Sequence, residues 1–93
     1  MFDKKVVVNR EFSNFEISEE AREVLGITLS HEINRTDEKL IDLIETWGAK
    51  RVGGKDTKLV IKRVPYFATD WEIDNRDGYE EIIYVLNGLI YHM

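Results

Sequence analysis

Ninety-three residues, 43% hydrophobic and 33% charged, make one ordinary globular domain, and the lack of any cysteine excludes disulfide staples and thiolate metal sites. No apolar run approaches the ~20 residues that a bilayer-spanning helix needs, and the opening MFDKKVVV lacks the apolar stretch of a secretory leader, so no membrane association and a cytoplasmic location are expected. The net charge of −5 is unevenly placed: residues 1–49 carry eleven acids and six bases, residues 50–63 one acid and six bases, and residues 64–93 six acids and one base. An acidic body repels a polyphosphate, which argues against nonspecific nucleic-acid binding. The basic segment leaves room for a small anion or an acidic partner.

Lys4 to Asn9 reads as a strand, and three consecutive valines, Val6 to Val8, predict that both of its faces are covered. A short helix follows over Ser18–Gly26. Ser18 suits its cap, Glu19 and Glu20 suit the positive end of its dipole, and Gly26 suits a left-handed stop. Ile17, Ala21, Val24 and Leu25 form its apolar stripe. Residues 27–35 read as a loop with a short extended piece. A second helix begins at a Thr36 or Asp37 cap, shows Leu40, Ile41, Leu43, Ile44 and Trp47 as its apolar face, and ends at Gly48.

Residues 48–58, GAKRVGGKDTK, read as a glycine-punctuated loop. The stretch from Lys58 to Pro65 alternates, with Leu59 and Ile61 on one face and Val60 and Lys62 on the other. Asp70 to Asp74 alternates again, with Trp71 and Ile73 inward. Asp77-Gly78 is a turn signal, and Asn87-Gly88 between β-prone runs predicts a hairpin in the tail. A helix over the tail is the alternative, disfavoured by the cost of Asn-Gly inside one. The order β, α, α, then several strands predicts an α+β fold: a three- to five-stranded, mostly antiparallel sheet with two helices packed on one face.

Three blocks resemble a family of small uncharacterised proteins of bacteriophages, prophages and bacterial genomes. The first is Lys5-Val6-Val7-Val8-Asn9-Arg10 with Phe15, Ser18 and Ala21. The second runs through Ile33, Arg35, Asp37, Leu40-Ile41, Glu45, Gly48-Ala49, Gly53 and Lys58-Leu59. The third is Val64-Pro65, Trp71-Glu72-Ile73 and Asp77-Gly78-Tyr79-Glu80. The chain departs from the family where Ser13-Asn14 replaces a glycine pair, where Asn34 replaces a frequent proline, and in its ending after Leu86. The resemblance implies a phage or prophage setting and supplies no mechanism.

Asn9-Arg10 invites two readings. In one, Arg10 holds a carboxylate or phosphate with its planar fork, Asn9 orients that ligand, and Phe12 and Phe15 form an apolar wall. In the other, which is preferred, the pair sits at a strand exit. There Asn9 bonds loop backbone, Arg10 pairs with an acid such as Asp77, and both phenylalanines pin the loop to the core. Gly53-Gly54 beside Lys55 could cradle an anion with backbone amides, but the spacing is not that of a phosphate loop. Asp70, Glu72 and Asp74 fall on one strand face and could hold a hard cation, but they also suit the charged face of an edge strand. His31 and His92 stand in no metal-ligand spacing, and no residue set names a reaction, so neither a cofactor nor a metal is expected.

The preferred expectation is therefore a noncatalytic protein-binding module. Its surface would be Tyr79, Tyr84, Leu89, Ile90 and Tyr91 on the C-terminal sheet, facing an unknown protein partner or a second copy. The alternative is a small-anion or nucleotide binder, enzymatic or not, built from Asn9, Arg10, Gly53, Gly54 and Lys55.

Overall fold

A computed structural model describes residues 3–93. The fold is α+β, with β1 (Lys4–Asn9), α1 (Glu19–Leu25), α2 (Glu38–Trp47), α3 (Ala49–Val52), β2 (Leu59–Val64), β3 (Asp70–Arg76), β4 (Tyr79–Leu86) and β5 (Leu89–His92) in chain order. All strand pairings are antiparallel, but the strands divide between two sheets, β1-β2 and β3-β4-β5, rather than joining in one.

The division follows from the valine run. Val7 packs with Ile17, Ala21, Leu40, Ile41, Ile44, Val52 and Leu59 on the helical side. Val6 and Val8 pack with Val64 and Ile82 on the side of the larger sheet. The β1-β2 ribbon is thus a middle layer, with helices on one face and β3-β4-β5 on the other, which is the cover that consecutive apolar residues require. Each fully buried valine contributes about 1.5–3 kcal/mol relative to exposure. The alternation of β2 is kept, since Leu59 and Ile61 meet the helical core and Val60 and Val64 the other.

Local signals explain the helix ends. The Ser18 hydroxyl accepts from the Ala21 amide at 3.3 Å and donates to the Arg51 carbonyl at 2.9 Å. Gly26 takes the left-handed stop at φ +71°. The Asp37 carboxylate accepts from the Lys39 and Leu40 amides at 2.8 and 3.2 Å, so Asp37 rather than Thr36 caps α2. Residues 27–35 form a 3-10 turn at Ser30–Glu32 instead of an extended piece. The expected loop after Gly48 begins with the single helical turn α3, which seats Val52 in the core. Val24 lies outside the core at 61% exposure, because α1 turns only its Ala21 side fully inward.

The tail is a hairpin. Asn87 (φ +53°) and Gly88 (φ +77°) form the two-residue turn between β4 and β5, and Asp77 (φ +53°) and Gly78 (φ +92°) form the one between β3 and β4. At Gly78 a β-carbon would lie 1.5 Å from the Ser13 carbonyl oxygen, so only glycine lets the loop after β1 close on this turn.

Candidate functional site

Two strand edges carry most of the chemistry, and they are treated in opposite ways. From Val7 to Asn9 the outer edge of β1 is closed by the backbone and side chain of Arg35 and the side chain of Glu80. The Val7 amide donates to the Arg35 carbonyl at 2.8 Å, and the Arg35 guanidinium donates back to the Val7 carbonyl at 3.2 Å. The next outward amide, that of Asn9, donates to the Glu80 carboxylate at 2.7 Å. Arg35 and Glu80 then join through two parallel bonds of 2.6 and 2.8 Å, with Glu80 only 1% exposed. The face of Phe15 lies 3.5 Å from the Arg35 guanidinium carbon. An ion pair therefore stands where a third strand would pair.

Asn9 is the hub beside this pair. Its side-chain amide donates to the carbonyls of Glu11, Ser13 and Gly78 at 3.2, 3.0 and 3.0 Å. Its side-chain oxygen accepts from the Glu11 and Lys58 amides at 3.3 and 3.0 Å. With no exposure and both side-chain polar atoms engaged, Asn9 ties three loops together and has no side-chain atom left to orient a ligand. Arg10 does not reach Asp77 for an ion pair. Its Nη1 donates to the Tyr79 hydroxyl at 3.2 Å, and its guanidinium lies 5.4 Å from the Tyr79 ring centre. The Arg10 Nε and Nη2 atoms are buried with no hydrogen-bond partner among the described residues. Phe15 pins the loop as expected, but Phe12 does not: it is 75% exposed and stacks on Tyr79 at 5.1 Å.

The glycine pair is engaged by structure. The Gly53 amide donates to Ala49 and the Gly54 amide to Glu16, both through carbonyl oxygens, which spends the donors an anion nest would need. A β-carbon at Gly54 would come within 2.8 Å of the Glu16 side chain. Lys55 borders a shallow groove of about 340 Å³ shared with Glu11, Phe12, Ser13, Asp56 and Thr57, and Arg10 is not among its walls. Arg51 turns to Glu20, making bonds of 2.6 and 3.2 Å, and lies over Trp47. The five residues of the anion reading are not gathered into one cradle.

The second edge is that of β5. Ile82 and Met93 exchange both backbone bonds, at 2.7 and 2.8 Å. Antiparallel alternation then points the backbone groups of Leu89 and Tyr91 at β4 and those of Ile90 and His92 outward. Leu89 and Ile90 are 61% and 67% exposed, and Tyr91 is exposed beside Tyr84, the two rings stacked at 5.3 Å. Tyr84 is half-buried against the second core, and Tyr79 belongs to the Arg10 cluster at the opposite end of β4. Of the five expected surface residues, four thus gather around the β5 hairpin and Tyr79 does not.

The other margins carry charge. The free edge of β3 bears Asp70, Glu72, Asp74 and Arg76, with Arg76 donating to Asp74 at 3.1 Å. That of β2 bears Lys62 and Arg63 and follows Lys58. Charged residues discourage strand addition, and β5 has no acid, lysine or arginine. His92 lies 3.6 Å from the Glu81 carboxylate on the outward face of the sheet.

Sequence reasoning missed the Arg35–Glu80 pair. The available signal was the phase of β4, since period two puts Glu80 on the same face as Ile82, where an acid demands a cation. Among the described residues no cluster of histidines and acids could hold a metal ion, and no helix is long and apolar enough to cross a membrane. What the fold and site define is an α+β domain with one closed and one bare strand edge. No family model, curated protein or solved structure matches the chain.

Proposed function

We propose that the chain is a noncatalytic protein-binding domain that docks through β5, accepting an added strand along Ile90–His92 and apolar contacts on Leu89, Ile90 and Tyr91. One observation carries this reading: the outward backbone groups of Ile90 and His92 lie on an exposed strand without acid, lysine or arginine, while on β1 both outward groups of Val7 and the outward amide of Asn9 are satisfied. Strand addition draws affinity from main-chain hydrogen bonds and specificity from alternate side chains, and β5 offers both. The family resemblance supports a phage or prophage setting for such a module. The test is partner capture by the wild-type chain and by Ile90→Pro, whose missing amide faces away from β4. Capture lost in the variant, with far-ultraviolet circular dichroism unchanged, is the expected result; equal capture contradicts it.

A second reading has its own observation, the two Arg10 nitrogens that have no partner among the described residues. A small carboxylate or phosphate reaching them past Phe12 would supply the missing acceptors. Under that reading phosphate raises the thermal midpoint of the wild type and not of Arg10→Ala. Lys55→Ala retains the shift, because Lys55 borders a different groove.

A further inference from the structure

We infer that the strand added to β5 is β5 of a second copy, paired antiparallel about a two-fold axis through Tyr91. This rests on the docking role proposed above for the same edge. With Ile90 and His92 turned outward, one self-pairing uses all four free groups. In it Ile90 exchanges both backbone bonds with the partner's His92, and His92 does the same with the partner's Ile90. Tyr91 then faces the partner's Tyr91 in the close, non-bonded position between those pairs.

Side chains favour the same register. Trp71 lies across from Tyr84, and Tyr84 across from Tyr91, in one row over β3, β4 and β5. The axis at Tyr91 continues that row into its own mirror sequence, giving six aromatic rings across six strands, with aromatic neighbours of the kind that stabilise sheets. On the opposite face Val85 pairs with Ile90 and Ile83 with His92, so each Ile90 meets the partner's His92 at the junction, with Val85 and the partner's Ile83 flanking them.

The placement of charge leaves this edge open to a second copy. A basic strand is drawn to the acids of β3, whereas β5 itself bears none. Strands lie ~4.8 Å apart, so in the six-stranded sheet the two copies of β3 are about 24 Å distant, roughly three screening lengths at physiological salt. The repulsion between two chains of charge −5 is thereby carried away from the contact. A junction of four-residue strands is small, so the dimer is weak and exchanging.

Sedimentation velocity over about two decades of concentration up to ~1 mM tests this. The wild-type weight-average mass is expected to rise toward twice the monomer and to rise further with added salt, which screens the remaining repulsion. Ile90→Pro is expected to stay monomeric. So are Tyr91→Lys and Tyr91→Glu alone, while their equimolar mixture is expected to regain association, which separates a lost contact from a lost fold. A wild type that stays monomeric throughout, an association indifferent to these substitutions, or a mixture that fails to recover overturns the inference. The docking role is judged separately. Loss of foreign-partner capture in Ile90→Pro, with a monomeric wild type, sinks the second copy and keeps the edge as a docking strand.

Discussion

The two strand edges face one physical problem and receive different solutions. An unpaired edge leaves backbone donors and acceptors unmade. On β1 the chain fills them with the Arg35 carbonyl and guanidinium and the Glu80 carboxylate, under cover from Asn9 and the loop after it. On β5 it leaves them in water, beside exposed Leu89, Ile90 and Tyr91. The closed edge lies in the interior, where an unmade bond is costly. The bare edge lies where water or another strand can complete it. The difference assigns stability to the first edge and, under the proposed docking role, recognition to the second.

That division can be broken by substitution. The largest expected effect is at Glu80→Ala, which strands the Arg35 guanidinium and the Asn9 amide. A loss of about 3–5 kcal/mol in chemical denaturation is expected, as for other broken buried pairs. The double variant Arg35→Met/Glu80→Leu sharpens the point. It removes both charges but leaves the Asn9 amide and the Val7 carbonyl unpartnered, so it is expected not to return to wild-type stability. Full recovery would mean the pair does not act as edge closure. Asn9→Ala comes next, with about 1–3 kcal/mol lost for the loop groups left unsatisfied. At the bare edge the expectation reverses: Ile90→Lys changes stability by no more than about 0.5 kcal/mol yet abolishes association.

The smallest effect concerns the exposed Arg51–Glu20 pair. Its hydrogen bond to Arg51 holds the Glu20 carboxyl below its ordinary value. A depressed carboxylate contributes stability above its unfolded-state pKa and loses it as pH falls through the folded value. A fully exposed pair is screened by solvent. Glu20→Gln is therefore expected to leave the neutral-pH denaturation midpoint within error of the wild type, and any difference is expected to vanish on acidification.

How far the sequence reveals this depends on the kind of interaction. Local signals are legible: the Ser18 and Asp37 caps, the Gly26 stop, the alternation of β2 and the Asn87-Gly88 hairpin are read within a few residues. The valine run announces cover on both faces of β1, but not that helices supply one cover and a separate sheet the other. That partition depends on where Pro65 to Thr69 leads the chain. Arg35 and Glu80 are 45 positions apart, and no local rule joins them. Only the inward phase of Glu80 hints that a cation is needed. Sequence charge alone points Arg10 to an acid such as Asp77, whereas packing gives it the Tyr79 ring and hydroxyl. Phe12 and Val24 show the same limit from the apolar side, since an apolar residue in a loop or on a short helix does not declare whether the core has room for it.

Native-state amide hydrogen exchange, read residue by residue at low protein concentration, tests the contrast between the edges most directly. The account predicts that Val7 and Asn9 exchange only with global unfolding. It predicts that Ile90 and His92 exchange orders of magnitude faster in the free chain and slow when a strand is added, whether by concentration or by a partner. Strong protection of Ile90 and His92 in the dilute monomer, or rapid exchange at Val7 and Asn9, would contradict it.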